Sequence, residues 1–581
     1  MTDTARPPAV PDPRLRARPG ARPRAAAGLA LVTAAGLLAP LAAAPAAAAA
    51  GASADASTDV RADVRAPGRL APLEDTWGDD TTREDEAASR ATGTWSAPAD
   101  QGSAFVLTRE TGAQAVWAMP AADGGPTTGR GVGVAILDTG IAPVAGLDAP
   151  GAVVEGPDLS LESQSPALRG LDGFGHGTHM AGLVGGRDAE LELGEEVSPE
   201  RFSGMAPGAT LVDVKLGTAD GAVDVSQVVA ALDWVVEHRA ETGVRVVNLS
   251  YGTGSTQPAD LDPLAHAVES AWRAGVVVVV AAGNDGEGGP SPLTMPAADP
   301  WVLAVGSSDH RGTPSRADDA VGAWTSSGTD ARRPDLLAPG KSVVSLRVPG
   351  SLADVEHPEG RVTGDAEGRF FRGTGTSQSA AVVSGAAALL LQRDPSLTPD
   401  QVKGLLVASA EPLAGDGSPV QGAGELDVLG AVQLLDAQRA AGGVPAHAQQ
   451  HAVSTGLGSL EASRGGVHVV DPGTGAALTG EQDVFGVAWD APSWAAASSA
   501  GTAWDGGAWR GSVWAADGWA GPGAWGSVEW QGASWTGRSW RSTSWTSAVW
   551  EGRSWRDQSW TGRSWRDESW SGRSWRGYQA W

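Results

Sequence analysis

Five consecutive valines, Val276–Val280, followed by Ala281 and Ala282, constrain this chain more than any other feature. A β-branched run with no polar alternation makes a strand buried on both faces, and such strands belong to parallel sheets whose crossovers lay helices over each side. Similar runs recur at Gly131–Leu137 (GVGVAIL), Thr210–Leu216 (TLVDVKL) and Val244–Leu249 (VRVVNL). Between them Val225–Arg239 and Leu261–Ala274 carry helical spacing. The alternation predicts an α/β domain with a parallel sheet covered on both faces. In such sheets, functional groups gather at the carboxyl ends of the strands.

The stretch Phe371–Gln392 (FRGTGTSQSAAVVSGAAALLLQ) delivers Ser377 from a glycine-rich turn onto the first turn of an apolar helix. A helix apolar all round is buried, and its unpaired N–H groups and dipole favour negative charge beside its first residues. Alone, Ser377 reads as an N-cap. Three further segments change its meaning. Asp138-Thr139-Gly140 follows the first strand and by itself suggests an Asx-turn. The segment Gly175-His176-Gly177-Thr178-His179-Met180-Ala181-Gly182 opens a helix, and its H-x-x-H spacing differs from the i, i+4 pair of zinc helices, so no metal is expected there. Ala281-Ala282-Gly283-Asn284-Asp285 closes the valine strand. Together these segments supply a hydroxyl nucleophile, a base, an orienting carboxylate and an amide donor, the parts of an acyl-transfer site.

The ordered motifs DTGI, HGTHMAG, AAGND and GTSQSAAVVSG resemble those of the subtilisin-like serine peptidases, over roughly 105–438. The resemblance implies a subtilisin-like three-layer fold with a mostly parallel central sheet, and a serine endopeptidase that acts through an acyl-enzyme. It casts Ser377 as nucleophile, His176 as general base and acid, and Asp138 as the group that fixes the imidazole. Asn284 would join the Ser377 amide in an oxyanion hole. Substrate would lie extended along Ser250, Tyr251 and Gly252, with the segment near Gly221 opposite. Ala281, Ala282 and Gly283 would wall an open specificity pocket that admits large apolar side chains. Activity would fall as pH drops through roughly 6 to 7.

Two departures stand out. Where the family reads S-M-A-x-P, this chain has Ser377-Gln378-Ser379-Ala380-Ala381, which adds a polar side chain beside the nucleophile and loses a helix-entry proline. These changes keep open a competing reading, a surface binding protein on an inactive scaffold. The acidic run from Asp188 and Glu190 to Glu195 and Glu196 matches no calcium loop of the family, so no cofactor is expected beyond a structural calcium without a matching loop.

Composition bounds the rest. A net charge of -26 argues against nucleic acid as a partner, and the absence of cysteine excludes thiol chemistry and disulfides. The three lysines, Lys215, Lys341 and Lys403, among many arginines read as codon bias. Residues 1–54, arginine-rich then apolar then small, have the layout of an export signal, so a secreted protein with no retained membrane span is expected. Residues 55–104 form an acidic leader or pro-segment expected to be disordered, and 439–487 read as a linker.

Residues 488–581 carry tryptophan at fivefold spacing, which fits one face of neither a helix nor a strand. Each pentad is then either a short rung with a Gly/Ser turn or part of a flexible tail. Its arginines beside aromatic rings suit attachment to cell-wall or other glycan polymers. Protein or peptide substrates and a monomeric state complete the expectation.

Overall fold

A computed structural model of the chain describes residues 93–519, apart from 165–167, 192–196, 314–315, 416, 446–448, 472–474, 506 and 516–517, together with 534–536. The expected export signal, most of the expected leader, and most of the pentads after Trp519 lie outside the described residues.

The eight-stranded sheet has the order β2-β3-β1-β4-β5-β6-β7, with β8 also paired to β6. Its strands are β1 (Gly133–Asp138), β2 (Val153–Asp158), β3 (Thr210–Lys215), β4 (Val244–Leu249), β5 (Val277–Ala281), β6 (Leu303–Asp309), β7 (Ala320–Val321) and β8 (Leu336–Pro339). All pairings are parallel except β6 with β7. Every residue of β1 and β5 is buried, as their uninterrupted apolar runs require.

Helices α1 (Ala104–Glu110) and α2 (Ala113–Trp117) precede the sheet. One helical layer holds α3 (His176–Gly185) and α7 (Thr376–Arg393), which pack on each other; α4 (Val225–Thr242) and α5 (Pro263–Arg273) form the other. The short α6 (Leu352–Glu356) lies between β9 (Val343–Leu346) and β10 (Phe370–Gly373), an antiparallel pair. Residues 376–392 of α7 are all buried, so its polar side chains must find partners inside. Ser384 Oγ donates to Asn248 Oδ1 at 3.0 Å, and Ser379 Oγ donates to the Ala338 carbonyl at 2.9 Å. These bonds fix the rotation of α7 against β4 and β8. Asp224 and Gln227 form a reciprocal capping box at the start of α4, and Asp262 caps α5 ahead of Pro263. Helices α8 (Pro399–Ser409) and α9 (Val428–Ala440) follow α7 and pack on each other.

Residues 439–487, read from composition as a linker, do not act as a spacer. They contribute α10 (Leu460–Arg464) and β11 (His468–Val470) and bury Leu460, Val467, Val469, Leu478, Val484 and Phe485 in the same core. Arg464 is wholly buried and pairs with Asp224 Oδ2 at 2.6 Å, welding this stretch to the cap of α4. The first pentads continue the same docking. Helix α11 (Ala491–Ala500) packs on α5, and the indole N–H groups of Trp494 and Trp509 both donate to Asp233 Oδ2 at 2.9 Å. Ser498 Oγ donates to the other Asp233 oxygen at 2.6 Å.

Strands β12 (Trp504–Asp505), β13 (Ala508–Trp509), β14 (Ser512–Ala515) and β15 (Gly518–Trp519) form a meander that pairs Trp504 with Trp509 and Trp514 with Trp519. A fivefold repeat thus makes a short rung and a turn, with Trp509 registered against Ser512 where the second and third rungs pair. A last strand, β16 (Ser534–Thr536), pairs with β11.

Candidate active site

Asp138 is the last residue of β1 and is fully buried. Its Oδ1 receives the Thr139 amide at 2.8 Å and lies 2.5 Å from His176 Nδ1. His176 opens α3, and the close approach of that helix to the 138–140 turn depends on Gly177: a Cβ there would sit 2.1 Å from the Gly140 carbonyl oxygen. Burial pushes the pKa of His176 well below 6.5, which keeps the ring neutral. Burial pushes Asp138 the other way, opposed by the Thr139 amide and the Lys215 ammonium.

A second set of residues holds this pair. Asp172 Oδ1 accepts from Thr139 Oγ1 at 2.8 Å and the Gly175 amide at 2.7 Å, while Oδ2 accepts from the Thr178 amide at 2.9 Å and Thr178 Oγ1 at 2.6 Å. One carboxylate therefore ties the turn after Asp138 to the first turn of the His176 helix. Lys215, Cα partner of Asp138 across the β1–β3 pair, is buried and donates to the carbonyls of Thr139 and Gly217 at 3.0 and 2.8 Å, with Glu162 at 3.1 Å. Sequence reasoning missed Asp172 and Lys215. The signals were an acid four residues before His176 and a lysine closing a strand that the sequence reads as buried.

The structure gives His179 a packing role: its Nε2 meets the Phe371 carbonyl at 3.1 Å, and burial lowers its pKa to about 3. In the acidic run, Asp188 is paired with Arg369, and Glu190 lies 3.1 Å from Arg201. Glu195 and Glu196 lie outside the described residues.

Asn284, just past β5, turns its Oδ1 to the start of α7, accepting from the Thr376 amide at 2.9 Å and Thr376 Oγ1 at 3.0 Å. Thr376 Oγ1 also receives the Gly283 amide at 3.2 Å, so the β5 end and the α7 start are bonded to one another. Ser377 is the second residue of α7; its carbonyl accepts from Ser250 Oγ at 3.5 Å, and its own Oγ makes no hydrogen bond. Tyr251 is buried, and Gly252 lies so near Thr294 that a Cβ would approach its Oγ1 to 2.3 Å. Ala281 and Ala282 are buried at the end of β5, with the Ala282 amide bonded to the Val305 carbonyl at 2.9 Å. Gly221 sits in a turn at φ 82°.

Direct bonds thus join Asp138 with His176, Asn284 with the residue before Ser377, and Ser250 with Ser377 itself. The packing of α3 on α7 brings the two halves into one layer.

Residues 129–432 match the sequence pattern of the subtilase family. The chain is 33% identical over 318 residues to the serine protease AprX of Bacillus subtilis (strain 168), covering 53% of this chain and 68% of that protein. It is 32% identical over 298 residues to subtilisin BL of Lederbergia lenta, covering 51% and 88% respectively. Against the extracellular serine proteinase of Thermus sp. (strain Rt41A) the identity is 33% over 287 residues, covering 49% and 56%.

Proposed function

Since the chain belongs to the subtilase family and is a serine-type endopeptidase, we propose that Asp138, His176 and Ser377 are its catalytic triad, with Asn284 in the oxyanion hole. The observation that carries this reading is the 2.5 Å contact of Asp138 Oδ1 with His176 Nδ1. With Nδ1–H directed at the carboxylate, the neutral ring keeps its lone pair on Nε2, the tautomer a general base needs. Ser377 Oγ attacks the peptide carbonyl and passes its proton to Nε2. His176 then protonates the leaving amine, and water repeats the sequence on the acyl-enzyme. Asp138 stays ionised and stabilises the transient imidazolium.

The orientation of Asn284 supports its role. Because Oδ1 accepts from Thr376, the amide nitrogen faces the other way, the side on which a donor to an oxygen acquiring charge is needed. Substrate lies along Ser250–Gly252 with the Gly221 turn opposite, and Ala281, Ala282 and Gly283 wall the pocket for the residue before the cleaved bond. Small residues there admit large apolar side chains.

The chain itself is exported, on the strength of its arginine-rich, apolar amino-terminal sequence, and acts on protein or peptide substrates as a monomer. Among the described residues no helix is long and apolar enough to cross a membrane. Envelope attachment is assigned to the pentad tail 488–581, whose arginines from Arg538 onwards lie among the tryptophans. The test of the enzymatic reading is pre-steady-state hydrolysis of a chromogenic peptide ester. The secreted chain is expected to release a burst of alcohol equal to the enzyme concentration, and Ser377→Ala none. A burst that survives Ser377→Ala removes the assignment.

A further inference from the structure

Gln378 occupies the place where the family pattern has methionine, and the reaction above gives it no role. It is the third residue of α7, it is 1% exposed, and its Nε2 has no hydrogen-bond partner. A buried carboxamide donor left unmade is costly, and an isosteric apolar side chain would avoid that cost. The surroundings of Gly375, the residue before α7, show where the group is directed. A Cβ built on Gly375 would lie 3.1 Å from Gln378 Oε1 and 3.3 Å from Asn284 Nδ2. The carbonyl end of Gln378 and the amide nitrogen of Asn284 therefore lie close to the same point beside Gly375, two residues before Ser377. The orientation of Asn284 is fixed by its two bonds from Thr376. The Gln378 amide is held by no bond at Nε2, and a half-turn about its last torsion exchanges its two ends within the same outline.

We propose that Gln378 is a catalytic residue: its carboxamide N–H donates, alongside Asn284, to the oxygen that becomes negative when Ser377 attacks the substrate carbonyl. The inference rests on the reading of Ser377 as nucleophile. As the bond from Ser377 Oγ to carbon forms, the carbonyl π pair moves onto oxygen and the serine proton goes to His176. When the amine leaves, the pair returns. Gln378 exchanges no proton or electron in either step. A donor that lacks a partner in the resting enzyme and gains one only as the charge appears lowers the barrier without tightening substrate binding, the condition for raising kcat.

The test compares the full secreted chain with Gln378→Met, which keeps the volume and removes the donor, on a peptide ester and against a peptide aldehyde. The aldehyde forms a tetrahedral adduct whose oxygen occupies the oxyanion position. Gln378→Met is expected to lower kcat by about 100- to 1,000-fold with KM within about twofold, and to weaken the aldehyde by a similar factor, the order seen when one such donor is lost. Should Gln378→Met fold poorly, Gln378→Glu retains the shape and places negative charge at that point, so its kcat should fall further still.

A purely structural role would not weaken the aldehyde relative to substrate. Equal kcat and equal aldehyde affinity in Gln378→Met, or in Gln378→Glu, overturn the proposal while the Ser377-dependent burst leaves the triad standing. Absence of the burst in the unsubstituted chain removes the triad reading itself.

Discussion

Replacing Asp172 by asparagine tests how the Asp138–His176 pair is held. The carboxylate is 3% exposed and accepts four hydrogen bonds, two at each oxygen. An asparagine can satisfy only one of those sides, because its NH₂ meets two donors on the other. Two bonds to a charged acceptor are lost, at about 1.5–3 kcal/mol each, so Asp172→Asn should cost about 3–6 kcal/mol of stability. That is a large share of the roughly 5–15 kcal/mol that holds a domain together. Denaturant unfolding of Ser377→Ala, which avoids self-digestion, against Ser377→Ala/Asp172→Asn measures it.

The catalytic readout is the acid limb of kcat/KM. The titratable groups facing His176 are Asp138 from β1, Asp172 from the loop before α3, the neutral His179 on its own helix, and Lys215 on β3 beyond Asp138. Asp172 is the negative charge that raises the His176 pKa against burial. Its neutralisation should move the acid limb to lower pH and reduce kcat more than KM. An unchanged unfolding midpoint together with an unmoved acid limb would show that Asp172 neither braces nor tunes the pair.

Because burial already holds the His176 pKa well below 6.5, the unsubstituted enzyme should keep its activity through pH 6.5 and lose it only as pH falls through that lowered value, which a pH–rate profile reads directly. Sequence alone placed this loss higher, at roughly pH 6 to 7. Gly177→Ala would set a Cβ 2.1 Å from the Gly140 carbonyl, a backbone atom that cannot swing aside, and should lower kcat/KM by more than about 100-fold even in folded protein. Asp233→Ala strands two indole N–H groups and a hydroxyl, at about 1–3 kcal/mol each. Limited proteolysis should then release the segment after residue 488, and tryptophan emission should shift to the red.

Much of the sheet was legible because buried parallel strands declare themselves locally. The runs at β1, β3, β4 and β5 need no knowledge of their neighbours to be read as doubly covered. The four motifs were legible for a related reason, since each sits at a strand end or helix start that its own glycines mark. What escaped was long-range. Arg464 and Asp224 are 240 positions apart, and nothing near either predicts that an arginine will be enclosed. The apolar residues of 439–487 are too sparse to form a core and are buried only because α4 and α5 offer a surface.

Composition alone did not show what the three lysines do. Lys215 and Lys403 each donate to two main-chain carbonyls, and Lys341 pairs with Asp309 at 2.7 Å. The tryptophan repeat was ambiguous from sequence because its period matches no regular element. In β12–β15 it is resolved by turns that alternate with rungs.

The central claim is that Asp138, His176 and Ser377 act as one reactive unit, and covalent labelling measures that most directly. A peptidyl phosphonate bearing a large apolar residue beside phosphorus should add once per chain, at Ser377 in the tryptic map, and its rate should follow the deprotonation of His176 as pH rises. Ser377→Ala should remain unlabelled, and Asp138→Asn should react at least about 1,000-fold more slowly. Labelling at another serine, or a rate indifferent to Asp138→Asn, would contradict the account.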